Sequence, residues 1–410
     1  MKKYVIIGNG TAAVGCIEGI RSVDQTGEIT VISSEDHHVY SRPLISYYLE
    51  GKTDLQKMKY RGDGFYADNG CKVLYGKTAK SINAKSKTVV LDGGEKIKYD
   101  ELCVAAGSRP FVPPFEGLDT VTQKFSFMTL DDAMSLEKAL DKDSRVLIVG
   151  AGLIGLKCAE GIAGRVKDIT VCDLAGRVLS SILDDDCAAT VQKHLEDNGL
   201  KFLLADSVTK FDKNTAYMKS GKTVEFDILV LAVGVRANSE IVKDAGGNVN
   251  RGIIINTKAE TSLPHIYAAG DCAEGYDASI GSNRVLAILP NAYMQGHTAG
   301  VNMAGGDSEF GCAIPMNSIG FFGLHIMSAG SYDGQMTEEK ADGALKRFFI
   351  RDGVLKGFML IGETERAGIY TSLIREKTPL CSINFELAEK IISNLIFSQN
   401  VRRKRFGGVV

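Results

Sequence analysis

Gly150, Gly152 and Gly155 stand at G-x-G-x-x-G spacing in RVLIVGAGLIGLKCAEGIAGRVKDITVCD, residues 145–173. That spacing suits a phosphate chain. The first glycine permits a tight turn, the second lets a pyrophosphate approach the backbone, and the third lets helix and strand pack closely. The helix that follows, with Leu153 and Ile154 at its start and Lys157 just beyond, offers unpaired N–H groups and a positive dipole end. Asp173 ends the next apolar run. A carboxylate there accepts hydrogen bonds from a ribose diol and repels a 2′-phosphate, which favours NADH over NADPH. Arg177 follows shortly and could soften that preference. A glycine triplet alone is weak; a strand before it, a helix after it and an acid about 20 residues on make a dinucleotide site.

The same pattern opens the chain. Tyr4–Ile7 reads as a short strand, Gly8, Gly10 and Ala13 give the G-x-G-x-x-A form, and 12–21 reads as a helix, with Thr11 and Ala12 at the turn. The next strand, Ile29–Ile32, closes near Ser33, Ser34 and Glu35. Glu35 is the first acid after it and can reach a ribose diol. Two dinucleotides in one chain imply hydride transfer between them. Arg42 precedes Pro43, which restricts it to an extended conformation. It could face a pyrophosphate or solvent. His37 and His38 are adjacent and point in different directions, which favours a solvated loop over a metal pair.

The elements that must position these residues follow from a chain of 410 residues, long enough for two or three domains. The net charge of −2 gives no bulk attraction to nucleic acid. Nine cysteines without a C-x-x-C pair suit a reducing, cytoplasmic setting rather than a disulfide framework. No apolar run approaches the ~20 residues of a membrane span, and the N-terminal run is too short for a signal peptide. Residues 71–104 read as a meander turning at Asp92-Gly93-Gly94 and ending in a buried strand, Leu102–Ala106. A helix is expected over 129–141 with Thr129 as N-cap. Another is expected over Asp184–Gly199, then a second meander over 201–231 ending in the strand Ile228–Val233. Short strands follow at 253–256 and 265–269, and a helix at 290–304. Residues 383–398 read as an amphipathic helix with Leu387, Ile391, Ile392 and Leu395 on one face. The cluster Arg402, Arg403, Lys404, Arg405 either docks an acidic partner or is a solvated end.

Gly8-Asn9-Gly10, Tyr-Ser-Arg-Pro at 40–43, Ala-Ala-Gly-Ser at 105–108, residues 145–173, Ala-Val-Gly-Val at 232–235 and Ala-Ala-Gly-Asp-Cys at 268–272 occur in one order. In them the chain resembles the two-dinucleotide flavoprotein reductases of the pyridine nucleotide–disulfide oxidoreductase superfamily. Residues 310–375 resemble the small C-terminal domain of NADH–rubredoxin reductases and nitrite reductase flavin modules. The resemblance implies an α/β fold of two Rossmann-like dinucleotide-binding domains plus a small α+β C-terminal domain. FAD would take 1–115 and 240–309, NAD(P)H 116–239, and the C-terminal domain 310–410.

The resemblance further implies that the first fingerprint binds FAD and the second NADH. Glu35 would hold the adenosine ribose and Asp271 a ribityl hydroxyl. Ala106 and Gly107 would line the FAD path, and Gly234 the nicotinamide nucleotide. Ser34, Arg42, Pro43, Ala79, Arg109 and Gly270 would complete the set. Disulfide reductases of the superfamily carry C-x-x-x-x-C on the first helix, and this chain has none. Another branch carries one cysteine where this chain has Pro43. Electrons should therefore pass from NADH through the flavin without a thiol, and no side-chain acid, base or nucleophile is assigned. Lys157 stands where relatives often have glutamate, and Tyr47 where some have lysine, so Lys157 is expected near the flavin–nicotinamide contact. The expected partner is a rubredoxin- or ferredoxin-like carrier, or a partner subunit of a larger redox complex, in a homo- or hetero-oligomer. The competing reading is an NADH-binding flavoprotein that acts as a conformational or assembly module with little turnover.

Overall fold

The computed structural model describes every residue except Asp342, Ile391, Ile392 and 407–410. The chain forms two compact units: Met1–Tyr276 with Asn283–Phe310, and Asp277–Ser282 with the part from Gly311 on.

The first unit holds two five-stranded parallel sheets of the same build. In one the order is Ile266–Ala268, Glu101–Val104, Lys3–Ile7, Glu28–Ile32, Cys71–Leu74. In the other it is Leu200–Leu204, Asp168–Asp173, Arg145–Val149, Ile228–Leu231, Lys124–Phe125. The central strands are aliphatic and almost wholly buried, as strands covered on both faces must be. Each sheet feeds its first strand through a glycine turn into a helix, Thr11–Val23 in one and Leu153–Ile162 in the other.

Both expected meanders are shorter than the sequence suggests. Only Ala79–Lys98 and Val208–Glu225 are antiparallel. Cys71–Leu74 and Leu200–Leu204 instead pair in parallel at the edges of the two large sheets. At a sheet edge these two strands are only partly buried, unlike the aliphatic, fully buried central strands that mark a parallel sheet in sequence. The helix Leu130–Ala139 starts as expected, with Thr129 and Asp132 forming a reciprocal capping box.

Helix Thr11–Val23 packs on helix Leu289–Met303 through glycines on both. A Cβ on Gly15 would lie 2.3 Å from the Tyr293 carbonyl oxygen, and one on Gly300 would lie 2.1 Å from that of Cys16. Gly19 and Gly296 make equivalent approaches, to His297 and Ala12. Backbones this close leave no room for a side chain.

In the second unit, five antiparallel strands run in the order Met316–Phe321, Leu324–Gly330, Val354–Ile361, Ala344–Arg351, Gln335–Ala341. Helix Ala367–Arg375 covers this sheet, and Phe348, Phe358, Tyr370 and Leu373 form the core between them. The single amphipathic helix expected over 383–398 is not what forms. A short helix Phe385–Lys390 and a 3-10 turn Asn394–Ile396 stand in its place, and a further helix Gln399–Phe406 follows. Leu387 packs on the core, but Leu395 is 65% exposed. Ile391 and Ile392 lie outside the described residues. Arg402–Arg405 fall on the last helix.

Candidate functional site

The two glycine turns repeat each other bond for bond. Gly8 donates to the Ile32 carbonyl and Gly150 to that of Cys172, each at 2.8 Å. Gly8 has φ +108° and Gly150 φ +120°, and a Cβ on either would lie 2.1 or 2.2 Å from the carbonyl of Ala105 or Ala232. Both positions therefore require glycine for the fold itself.

The second glycines do not. Gly10 (φ −99°, ψ −166°) and Gly152 (φ −83°, ψ −175°) have backbones any residue adopts, and each begins its helix. A Cβ on either would meet nothing within 4 Å. Neither turn geometry nor packing requires glycine at these two positions, and the approach to the backbone is left open. The third positions differ. A Cβ on Gly155 would lie 2.0 Å from the Gly150 carbonyl, whereas the methyl of Ala13 is fully buried in the core.

A cleft opens over the first turn. Its walls include Gly8, Gly10, Thr11, Ala12, Ser34, Glu35, Arg42, Ala106, Gly107, Gly270 and Asp271. These come from four strand ends of one sheet and the loop to Arg42. Glu35 is tied down within it: Arg42 pairs with one carboxylate oxygen, and the Tyr40 hydroxyl donates to the other at 2.6 Å. Arg42 also donates to the Met128 carbonyl, and Tyr40 accepts from the Leu130 amide. Burial pushes the Tyr40 phenol far above its ordinary pKa, so it stays a donor to Glu35. Burial also raises the Asp271 carboxyl, against the opposing charge of Arg42 and a 3.4 Å contact from the Ser108 hydroxyl.

Four expected residues do not line the cleft. Ala13 is buried in the helix. Pro43 begins a 3-10 turn with Arg42, and Ala79 starts the small antiparallel sheet. Arg109 is turned away, bound to Glu240 at 2.6 and 3.0 Å and to Asn238 at 2.9 Å. The cleft also includes Asn9, Ser33, His37, His38, Tyr40 and Met128. Asn9 and Ser33 could have been inferred as neighbours of the fingerprint and strand end. His37 bonds Asp131 at 2.8 Å, a partnership with no local signal.

At the second turn, Asp173 lies directly beneath the glycines. It accepts from the Ala151 amide at 2.7 Å and from the Ala175 amide at 2.8 Å. Leu153 and Ile154 are half-buried in the first helical turn. Lys157 pairs with Glu160, and its ammonium lies 4.7 Å from the centre of the Tyr47 ring. The two halves meet at an antiparallel pair, Ser108–Pro110 with Val235–Ala237, reached through Gly107 (φ +64°) and Gly234 (φ +113°). A Cβ on either of these glycines would also meet open space.

Cys16 and Cys272 are buried, and burial pushes the Cys272 thiol up to about 12. Among the described residues no group of three or more His, Cys, Asp or Glu could hold a metal ion, and no helix is long and apolar enough to cross a membrane.

Residues 2–296 match the family model for pyridine nucleotide-disulphide oxidoreductases. The chain belongs to that family. It is 32% identical over 393 residues to the epsilon subunit of NADH-dependent phenylglyoxylate dehydrogenase from Aromatoleum evansii, covering 92% of both chains. It is 30% identical to nitrite reductase [NAD(P)H] from Bacillus subtilis, where 92% of this chain spans 48% of the relative. Among solved structures, putidaredoxin reductase in its covalent complex with putidaredoxin matches with a TM-score of 0.88 at 23% identity, over 95% of each chain, and shares the fold. As a family member the protein is an FAD-dependent NAD(P)H:acceptor oxidoreductase, with FAD and NADH as its cofactors. The open ground above Gly10 and Gly152 fits two such dinucleotides.

Proposed function

We propose that the protein draws hydride from NADH at the Gly150 turn, passes electrons through FAD at the Gly8 turn, and delivers them to a separate redox protein or subunit. The observation that carries this reading is the repeated turn, whose second glycine in each copy has no structural need to be glycine. Bound FAD would supply the hydride-accepting chemistry.

The chain's own residues bind and orient. The amides after Gly10 and Gly152 face the two pyrophosphates. Glu35 holds a ribose diol, Arg42 neutralises phosphate, and Asp271 meets the ribityl chain. Asp173 holds the NADH ribose. Arg109 braces the crossover between the halves through Glu240 rather than touching a cofactor. Lys157 braces the helix Leu153–Ile162 against the helix Ile45–Leu49, which follows Arg42. Pro43 and the high thiol pKa of Cys272 support a route without a cysteine relay.

The full-length likeness to an epsilon subunit favours the form in which the terminal catalyst is another chain. Purified protein loaded with FAD should be bleached by NADH within seconds under anaerobic conditions. A rubredoxin, a ferredoxin or a co-purified iron–sulfur subunit should then restore the oxidised spectrum. If NADH leaves the flavin oxidised, the reductase reading fails.

A further inference from the structure

Asp173 alone does not decide how the second site treats a 2′-phosphate, because an arginine lies close by. Arg177 sits midway along a loop fastened to the nucleotide turn at both ends. The Ala175 amide donates to Asp173 at 2.8 Å, and the Leu179 amide donates to the Ala151 carbonyl at 2.9 Å. An arginine in this position is well situated to take a phosphate on the ribose that Asp173 holds.

The guanidinium is drawn elsewhere. Nη1 donates to Asp185 at 2.9 Å, Nε to the Leu183 carbonyl at 3.1 Å and Nη2 to the Ser180 carbonyl at 3.3 Å. Asp185 is the middle of three consecutive acids, Asp184–Asp186, at the start of helix Asp185–Asp197. Asp184 caps that helix through the Cys187 amide at 3.0 Å, which fixes where Asp185 stands.

We propose that Asp185 is a nucleotide-specificity residue: by holding Arg177 away from the ribose, it denies NADPH the cation its 2′-phosphate needs. This rests on the assignment of NADH to the Gly150 turn. Preference for NADH then has two parts, repulsion by Asp173 and sequestration of Arg177. The Asp185 carboxylate is 87% exposed, so the pair is a weak one. Its removal should produce a modest change rather than a switch.

The test is calorimetric binding of adenosine 2′,5′-bisphosphate and adenosine 5′-monophosphate to the FAD-loaded protein, since the probes differ only by the 2′-phosphate. Asp185→Ala should raise the affinity ratio in favour of the bisphosphate about fivefold. The double variant Asp185→Ala/Arg177→Ala should return the ratio to the wild-type value. An unchanged ratio in Asp185→Ala overturns the proposal. So does an equal rise in the double variant, because repulsion by Asp185 alone would then explain it. The flavin spectrum reports whether each variant is folded. If adenosine 5′-monophosphate fails to compete with NADH in the wild type, the site assignment itself is what has failed.

Discussion

Replacing Gly152 with alanine separates the demands of the fold from those of the nucleotide. The backbone there is ordinary for alanine, and the new methyl would meet no protein atom within 4 Å. Two small effects on stability oppose each other. Restricting the unfolded chain stabilises by about 0.4–1 kcal/mol. Alanine is a poorer N-cap than glycine, which costs about the same. The apoprotein should therefore unfold in urea within about 0.5 kcal/mol of wild type. The methyl nevertheless fills the approach to the backbone amides. NADH affinity should fall at least tenfold, about 1.4 kcal/mol, while FAD content is unchanged. Gly155→Ala is the contrasting variant: its Cβ would lie 2.0 Å from the Gly150 carbonyl, so overpacking should cost about 1–3 kcal/mol of stability. Fluorescence titration with NADH and urea unfolding of the two proteins give the comparison. Normal NADH affinity in Gly152→Ala would refute the argument that an approaching nucleotide is the reason for that glycine.

Gly300→Ala should destabilise by about 1–3 kcal/mol, since its methyl would press on the Cys16 carbonyl at 2.1 Å; thermal unfolding of the variant measures it. Alkylation of the native protein should label Cys312 and Cys381, the two exposed thiols, and leave NADH-driven dye reduction intact. Peptide mapping that links lost activity to Cys16 or Cys272 would restore a thiol route. Burial alone would raise the Glu18 carboxyl, but hydrogen bonds from Arg61 at 2.7 Å and Tyr293 at 2.6 Å outweigh it and hold the carboxyl below its ordinary value. A depressed carboxyl contributes stability above its unfolded pKa, near 4.3, and loses it as pH falls through the lower folded value. Glu18→Gln should thus lose about 1 kcal/mol at pH 7 and show a shallower fall in stability below pH 4.5, read by urea titrations at several pH values.

The glycine turns were legible because their constraint is local. A strand, a turn and a helix lie within about twenty residues, and the demand for glycine falls on the backbone itself. The parallel order of the sheets was less so. Cys71–Leu74 and Leu200–Leu204 are partly buried edge strands without the continuous buried run of the central ones, and only their partners fix the pairing as parallel. The G-x-x-x-G spacings at Gly15–Gly19 and Gly296–Gly300 were also in view, but each acquires meaning only against the other helix.

Long charged side chains carry no such local constraint. Arg42 sits in a motif and Arg109 directly follows one, yet the first reaches the cleft and Glu35, while the second reaches Glu240, far along the chain. Arg177 lies four residues from Asp173 in sequence and pairs with Asp185 in space. An arginine chooses among carboxylates, carbonyls and a ligand's phosphate on nearly equal terms, because exposed ion pairs differ by less than about 1 kcal/mol. Motif position therefore states what such a residue could bind. The acids that the fold brings within reach decide what it does bind, and Asp185 is where that decision can be altered without touching the nucleotide turn.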